Sequence, residues 1–411
     1  MSFPGPDSGG REAARNMGMK TGKLPVNAMK RSVFGQIRRN REEVLNGAGF
    51  GEDCAIFSFR PEVAVAVCVQ EAVVALDRTS AASRAGRRAG DATQGEKQPG
   101  GLDAELTDVA AAGVQGAADA PQGEKLPGEE PRGPRHEEAA MSMADLIVKC
   151  ANNLAAGGAE PVAATVALLL PETVEEPQIR ALMVQAQEKC TELHMEIIGG
   201  QTRVTAAAAG PLAVVTGYGA AARGESHGPG AAAPGQDIVL SKWIGLQGTA
   251  LLARRFREKL LARYPAWLVE EAAGFGRYLS VLPEARMARE HGVCAMHDAS
   301  EGGILGALWE LAEGAGLGLE ADLRGIPLRQ ETVEVCECCG ANPYELLCGG
   351  CLVMTARDGH GLAAALEAAH IPATVIGKLT GGRSRILRCG EEIRYLDRPR
   401  RDAVYQMPEP G

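Results

Sequence analysis

The stretch from residue 142 to residue 170 constrains the fold more than any other part of this sequence. Its first half places apolar residues at helical spacing behind Ser142, which can cap the start of a helix. The pattern then passes through Asn152-Asn153 and Ala-Ala-Gly-Gly into a run rich in Val, Ala and Leu at 162–170, which predicts a strand. A helix that turns at once into a strand is typical of α/β and α+β folds.

The asparagine pair and a second stretch, Ile198-Gly-Gly-Gln-Thr-Arg-Val204, are the first candidate site. Asparagine is a poor helix-interior residue that prefers local or ligand hydrogen bonds, so we expect a turn with exposed amides at Asn152 and Asn153. In the second stretch the paired glycines would let the backbone approach a ligand closely, and the threonine supplies a hydroxyl. The alternative is structural: a helix C-cap and a strand-end turn, which commonly carry glycine.

Composition argues against several classes of function. The chain has 411 residues, of which 45% are hydrophobic and 4% aromatic, and a net charge of −9, so we expect globular cores and no nucleic-acid partner. No apolar run reaches transmembrane length and the N-terminus lacks the regions of a signal peptide, so we expect no membrane partner and a cytoplasmic location. The eleven cysteines lie mostly in apolar runs, which is typical of buried reduced thiols.

The sequence predicts two domains and one insertion. Residues 1–18 form a disordered tail, 19–220 an N-terminal domain, 221–236 a linker, 237–405 a C-terminal domain and 406–411 a second tail. Between about 77 and 140 the chain lacks Ile, Phe, Tyr, Trp and Cys, so this segment cannot bury enough apolar area to offset its ordering entropy. We therefore expect a disordered insertion there.

Helix-like and strand-like patterns alternate along both domains. The predicted elements are a helix over 27–44, strands at 47–57 and 63–69, a helix from 143, a strand over 162–170, a helix over 176–193, strands ending at 199 and over 211–219, a strand over 235–243, a long helical stretch to about 291, a strand over 293–296, a helix to about 313, and strands over 346–355 and 373–377 flanking a helix. Glu52 and Asp53 stand at the start of the first strand, where they could face a phosphate-bound cation or be a solvated pair. The second strand is expected to end at Gln70-Glu71.

The segment His297-Asp-Ala-Ser-Glu-Gly-Gly303 is a second candidate site. Asp298 or Ser300 can cap the helix that follows, and the glycine pair with the free amides makes an anion-binding end. His297 and Glu301 are either acid/base residues or residues that order the cap.

Cysteines cluster in the C-terminal half. They are Cys336, Cys338, Cys339, Cys348 and Cys351. The last two have the spacing of a zinc knuckle, and four thiolates suffice for tetrahedral zinc, but no histidine is near and the context is apolar. A metal site, a redox pair and unligated thiols all remain open.

Six motifs, taken in order, resemble one family. They are Gly22-Lys-Leu-Pro25, Gly49-Phe-Gly-Glu-Asp53, Asn152-Asn-Leu-Ala-Ala-Gly-Gly-Ala-Glu-Pro161, Ile198-Gly-Gly-Gln-Thr-Arg-Val204, Ser241-Lys-Trp-Ile-Gly-Leu-Gln-Gly-Thr249 and His297-Asp-Ala-Ser-Glu-Gly-Gly303. Together they resemble the aminoimidazole ribonucleotide (AIR) synthetase superfamily, and within it the hydrogenase maturation factors near the carbamoyl dehydratase that makes the cyanide ligand. The resemblance covers nearly everything from Met19 to about Tyr405 except the insertion.

The resemblance implies an α/β (α+β) fold of two domains. The N-terminal mixed-sheet domain would form the homodimer and the ATP site, and an α/β domain would follow. It also implies Mg²⁺ with ATP, and transfer of phosphate to an amide or carbonyl oxygen, as in hydrogenase or metalloenzyme maturation. The residues at the family's motif positions imply catalysis by Lys23, Asp53 and Glu71, metal binding by Asp53, Glu71 and Asn153, and nucleotide binding by Asn152, Asn153, Gly199, Gly200, Gln201 and Thr202.

Several positions depart from the family's pattern. Relatives carry Asn-Asp where this chain has Asn152-Asn153, an Asp or His where it has Gln201, and Thr-Asp where it has Gln70-Glu71. Amide oxygens can coordinate Mg²⁺ but neutralise none of its charge. The chain also ends at Gly411 without the dehydratase's C-terminal cysteine, so we expect it not to perform that carrier reaction.

Two functions therefore compete. The first is an ATP-dependent enzyme, either a ligase/dehydratase or a kinase-like phosphoryl transferase, acting on an unknown substrate. The second is a catalytically impaired nucleotide-binding sensor or partner protein. Glu71 discriminates them, because the enzyme needs its charge near the metal. A third hypothesis is a zinc-dependent interaction protein built on the cysteine cluster.

Overall fold

The described part of the chain contains two β-sheets of different size. The structure is a computed structural model that describes residues 44–46, 54–58, 63–76, 140–222, 226–399 and 401–407. The predicted tail at 1–18, most of the predicted helix over 27–44, and residues 77–139 of the expected insertion lie outside the described residues. Both sheets and their helices belong to one compact unit.

The first sheet has six strands in the order β1-β2-β3-β6-β4-β5. The strands are β1 (Val44–Asn46), β2 (Ala55–Phe57), β3 (Val63–Val73), β4 (Glu160–Leu170), β5 (Glu196–Val204) and β6 (Leu212–Ala222). All neighbours are antiparallel except β4 and β5, which are parallel and joined by a helix. The mixed sheet confirms the predicted fold class.

Two helices cover one face of this sheet, α1 (Met143–Ala156) and α2 (Glu176–Glu192). Helix α1 begins as predicted, because the Ser142 hydroxyl accepts the Asp145 amide at 3.0 Å. Its apolar stripe packs on the small side chains that alternate along β3. The covered face therefore forms the first hydrophobic core.

The described helices leave the opposite face of this sheet exposed, and we call it the open face. It comprises Val65, Val67, Val69 and Glu71 on β3, Thr165 and Ala167 on β4, Gln201 on β5, and Val214, Thr216 and Tyr218 on β6. Val69 is 52% exposed, whereas its neighbour Cys68 on the covered face is 5% exposed. Among the described residues, helices therefore cover only one side of this sheet.

The second sheet has seven strands in the order β13-β12-β9-β11-β7-β10-β8. The strands are β7 (Asp237–Ser241), β8 (Val293–Ala299), β9 (Gly318–Asp322), β10 (Cys351–Ala356), β11 (Ala373–Thr380), β12 (Arg385–Cys389) and β13 (Glu392–Tyr395). Only the β9–β12 pair is parallel. Every residue of β7 and β10 is buried, because the second sheet packs helices on both faces.

Seven helices accompany the second sheet. They are α3 (Leu246–Arg255), α4 (Arg257–Leu261), α5 (Ala266–Ala273), α6 (Leu282–Glu290), α7 (Gly303–Ala315), α8 (Gln330–Cys339) and α9 (Gly359–Ala368). Among the described residues, no helix combines the length and the apolar character that a membrane span requires.

Several predicted elements differ from the structure. The strand expected to end at residue 199 continues as β5 to Val204, and Val44, the last residue of the predicted helix, begins β1. The long helical stretch to residue 291 is broken into four helices, because Pro265 and Gly274 interrupt it. Strand β3 continues through Gln70-Glu71 to Val73 instead of ending there, since its partner β6 pairs along its whole length. The strand predicted from residue 346 begins only at Cys351, and the sequence did not predict α8, β9, β12 or β13.

Candidate functional site

Asn152 does not lie in an exposed turn. Helix α1 continues past it to Ala156, and the residue is 2% exposed. Its amide nitrogen donates to the Leu279 carbonyl at 2.8 Å, and its amide oxygen accepts the Val281 N–H at 2.9 Å. The prediction of an exposed turn is wrong for both asparagines, since α1 also includes the buried Asn153. For Asn152 the reason is that tertiary hydrogen bonds satisfy the amide inside the helix.

Asn153, the next residue, differs from Asn152 in the hydrogen bonding of its side-chain amide. It is 8% exposed, and its backbone carbonyl accepts the Gly157 N–H at 3.1 Å. Within the described part of the chain, its side-chain amide makes no hydrogen bond. The side chain therefore retains its capacity to bind a ligand.

The glycine turn after α1 is held on two sides. On one side Gly157 lies so close to the Cys54 thiol that a Cβ at this position would overlap the sulfur. On the other side Arg289 of α6 donates to the Gly158 carbonyl at 3.0 Å, and Arg286 pairs with Glu160 at 2.6 Å. The end of α1 therefore lies between the start of β2 and helix α6.

The second stretch lies on the edge strand β5. Gly200 has φ 152°, and a Cβ there would overlap the Val166 carbonyl oxygen, so this glycine permits the close approach of β4. Gly199 has more room, since a Cβ there would meet only the Thr165 methyl at 3.8 Å. Gln201 and Thr202 are exposed.

Glu71 and Gln201 stand at the two ends of one row across the open face. Glu71 pairs with Val214, Val214 with Ala167, and Ala167 with Gln201. Three strand spacings separate the two ends, which is about 14 Å between backbones. The open face thus brings Glu71 and Gln201 into one row, whereas α1 with Asn153 covers the opposite face.

Three predicted site residues cannot be placed. Lys23, Glu52 and Asp53 lie outside the described residues. Cys54, which directly follows Asp53 in sequence, is buried against the turn after α1.

The anion-binding end predicted at His297–Gly303 is filled by the chain itself. The Asp402 carboxylate accepts the Gly302 N–H at 2.7 Å, the Leu347 N–H at 3.1 Å and the Val404 N–H at 2.9 Å. Burial raises the pKa of Asp402 to about 6, against the three hydrogen bonds, which lower it. The helix start is Gly302 with φ 92°, so neither Asp298 nor Ser300 is its N-cap.

His297 lies inside β8, away from the helix start. It is 4% exposed, and its Nε2 lies 3.1 Å from Glu310 Oε2 on α7. The imidazole therefore ties a strand to a helix in the core, and it neither caps α7 nor faces solvent.

The cysteine cluster does not come together. Cys336 and Cys338 pack in one hydrophobic cluster, and Cys348 and Cys351 in another. Burial raises the pKa of Cys336 to about 12 and that of Cys351 well above its usual range. The described residues contain no group of three or more His, Cys, Asp or Glu side chains that could hold a metal ion.

Lys242 is a buried charged residue whose importance sequence reasoning missed. It follows β7, has φ 53° and is 8% exposed. Its ammonium donates to the carbonyls of Tyr278 at 2.9 Å and Ser280 at 2.6 Å. Glu284, itself 2% exposed, is its carboxylate partner. The sequence feature that could have indicated a buried ammonium here is a lysine directly after an apolar strand.

The chain matches both domains of one protein family. The AIR synthase related protein N-terminal domain matches residues 137–221, and the C-terminal domain of the same family matches residues 233–390. Carbamoyl dehydratase HypE of Rhodobacter capsulatus is 28% identical over 215 residues, which are 52% of this chain and 61% of the relative. The chain thus spans less than two thirds of the length of this relative.

Two solved structures share the fold. A HypE–HypF complex aligns with a TM-score of 0.61 at 15% identity, covering 90% of this chain and 100% of the other. The hydrogenase maturation protein HypE in complex with ATP aligns with a TM-score of 0.55 at 17% identity, covering 64% of this chain and 80% of the other. At such identities the likeness concerns the fold alone.

Proposed function

Because the chain belongs to the AIR synthase-related family, we propose that it binds ATP with Mg²⁺ where helix α1 ends beside the start of β2. The observation that carries this proposal is the contact between Gly157 and Cys54, the residue that follows Asp53. Asn153 lies one helical turn before Gly157 and keeps its amide for a ligand. The fold shared with an ATP-bound HypE supports a nucleotide as that ligand.

The available oxygen ligands fit Mg²⁺ that is held largely by the nucleotide. Mg²⁺ usually takes one or two protein carboxylates and completes its shell with phosphate oxygens and water. Asp53 would supply the carboxylate and Asn153 a neutral oxygen. Glu71 and Gln201 lie on the face of the sheet opposite α1, so they would not share this ion with Asn153. When bound, the metal supplies charge neutralisation for the polyphosphate. Since amides neutralise no charge, we expect Mg²⁺ to bind weakly without ATP.

The reaction that this site would serve is phosphorylation of an amide or carbonyl oxygen in hydrogenase or metalloenzyme maturation. The oxygen attacks the γ-phosphorus of ATP, ADP leaves, and the phosphorylated oxygen becomes a good leaving group. Lys23 would position the phosphates and Asp53 would hold the metal, whereas Glu71, expected as a second carboxylate, lies on the opposite face of the sheet from Asn153. The family and the carbamoyl dehydratase relative support this reading.

A catalytically impaired nucleotide-binding partner is the second candidate function. It is favoured by Asn152, whose buried amide is engaged by the backbone of Leu279 and Val281. The motif therefore offers one amide and no carboxylate of its own. A neighbour solved as a HypE–HypF complex makes a protein partner reasonable for such a molecule.

A homodimer through the six-stranded sheet completes the proposal. The open face carries the exposed Val69, and the same sheet exposes Val162, Ile198 and Val204 by half or more. Exposed apolar side chains grouped on one sheet are typical of an association surface. A second copy placed on the open face would bury Val69 and would enclose Glu71 and Gln201.

The test is calorimetric titration of the protein with ATP, with and without Mg²⁺, followed by measurement of phosphate release. The informative variant is Asn153→Asp, which puts back the carboxylate that relatives carry. We expect it to tighten Mg²⁺-dependent ATP binding by on the order of tenfold, since a carboxylate binds the metal better than an amide. Asn152→Asp, the matched control, changes an amide that contacts only backbone and should not tighten binding.

The two candidate functions predict different turnover. Phosphate release by the native chain supports the enzyme. Binding without release, with turnover appearing only in Asn153→Asp, supports the impaired partner. If neither the native chain nor Asn153→Asp binds Mg-ATP, the proposed site is refuted.

A further inference from the structure

The segment 278–281, which we call the strap, accepts hydrogen bonds from, or donates them to, side chains of both halves of the chain. From α1, Asn152 binds the Leu279 carbonyl at 2.8 Å and the Val281 N–H at 2.9 Å. From the end of β7, Lys242 binds the carbonyls of Tyr278 at 2.9 Å and Ser280 at 2.6 Å. Two buried side chains therefore fix four consecutive residues, which run from the end of a 3-10 turn at Tyr278 to the N-cap of α6 at Val281.

Lys242 is well suited to fix the strap rigidly. Its positive φ of 53° is uncommon for a lysine and is maintained by surrounding contacts, including its own N–H donating to the Pro372 carbonyl at 2.7 Å. Its ammonium has three hydrogens, and the two carbonyls and the Glu284 carboxylate use all three. Such a fully satisfied buried group has one arrangement, so it defines where the strap lies.

The strap continues into α6, which also contacts the glycine turn. Arg289 donates to the Gly158 carbonyl, and Arg286 pairs with Glu160. Asn152 and the turn after α1 are thus both attached to the same segment of the second half. Asn153, which lies between these attachment points, takes its position from them.

We propose that Lys242 is a positioning residue for the nucleotide site, acting through the strap and Asn152 on the adjacent Asn153. This inference rests on the proposed function for its ligand, and it adds a residue of the second half that does not touch the nucleotide. Lys242 holds the strap, the strap holds Asn152, and Asn152 fixes the last turn of α1. Partners that orient a ligand-binding group from behind typically change affinity by about 10- to 100-fold when removed.

The single variant Lys242→Met is not a clean test, because it leaves the Glu284 carboxylate buried without its cation. The double variant Lys242→Met/Glu284→Met removes both charges and also removes the grip on Tyr278 and Ser280. A matched control is Arg385→Met/Glu313→Met, which deletes a buried ion pair of 2.6 Å between β12 and α7. Neither control residue contacts α1 or the strap in any hydrogen bond or ion pair of the described residues.

Two measurements are made on both double variants and on the native chain. The first is hydrogen exchange at the Gly157, Gly158 and Ala159 amides, which bond back to carbonyls in the last turns of α1. We expect exchange to be on the order of tenfold faster in the Lys242 double variant than in the control. The second is Mg-ATP affinity, for which we expect at least about a tenfold loss in the Lys242 variant and less than about twofold in the control.

The outcomes separate this inference from the proposed function. Unchanged exchange at the three amides overturns the positioning role, whether or not ATP binds. Faster exchange with native affinity also overturns it, because Lys242 would then be structural only. If the native chain binds no Mg-ATP, the proposed function fails, and the exchange comparison alone still decides whether Lys242 fixes the end of α1.

Discussion

The two sheets of this protein differ in how much of their strand residues is buried. In the seven-stranded sheet every residue of β7 and β10 is buried, so both faces contribute to cores. In the six-stranded sheet, residues 64–69 of β3 alternate between buried on the covered face and half-buried or exposed on the open face. Since the described helices cover only one face of the first sheet, we expect the second half to contribute more to stability and the first half to recognition.

The difference between the two sheets is tested most directly by the same valine-to-alanine substitution in each. Val239 of β7 is 0% exposed, and Val69 of β3 is 52% exposed. We expect Val239→Ala to lower the free energy of unfolding by about 2–4 kcal/mol, because it leaves a cavity in a packed core. Val69→Ala should lower it by less than about 0.5 kcal/mol when measured by urea unfolding of the dilute chain.

Repeating the unfolding measurement at several protein concentrations provides a control. If a second copy covers the open face, the cost of Val69→Ala grows as protein concentration rises, because association stabilises the folded state. The Val239→Ala difference should not depend on concentration. Equal costs for the two valines at every concentration would contradict the distinction between the sheets.

A smaller effect is expected at the junction between the sheets, where Asn152 and Asn153 have separate tasks. Asn152→Ala leaves the Leu279 carbonyl and the Val281 N–H buried without their partner. We expect a loss of about 2 kcal/mol in unfolding free energy. Asn153→Ala removes no hydrogen bond among the described residues, so its stability cost should be well below that of Asn152→Ala.

In a binding assay the two variants should differ in how the loss of affinity arises, because Asn152→Ala acts through the position of Asn153 and also lowers stability. Asn153→Ala is expected to weaken Mg-ATP binding at nearly native stability, as seen by calorimetry beside urea unfolding. A large stability loss in Asn153→Ala would mean that both asparagines are structural, and the site would then have to depend on Asp53 and Glu71.

Much of this fold could be read from the sequence where periodicity and capping agree. The apolar spacing behind Ser142 located α1, and the run at 162–170 located β4. The sequence failed where partners far along the chain decide the outcome. Strand β3 extends through Glu71 because β6 pairs along its whole length, and no local signal reveals a partner about 140 residues away.

The candidate site was predicted less well than the fold, and for the same reason. Local preference placed Asn152 in an exposed turn, but tertiary hydrogen bonds hold it inside a helix. Gly200 was read as a place for a ligand, whereas β4 occupies that space. The anion-binding character at Gly302 was read correctly, but its anion is Asp402, 100 residues further along the chain.

Asp402 provides the smallest expected effect, a pH dependence confined to the second half of the molecule. Burial raises its pKa from 3.8 to about 6, so the folded state holds the proton more tightly than the unfolded state. The stability contributed by that proton is present at about pH 4 and is lost as the pH rises through about 6. Asp402→Asn cannot titrate, so the stability difference between the native chain and the variant should shrink on going from about pH 4 to about pH 7, by on the order of 1 kcal/mol or more. Urea unfolding at the two pH values measures this difference.

A difference that stays constant would mean that the carboxylate in contact with Gly302, Leu347 and Val404 ionises as easily as an exposed one. The second half would then tolerate a buried charge better than its packing suggests.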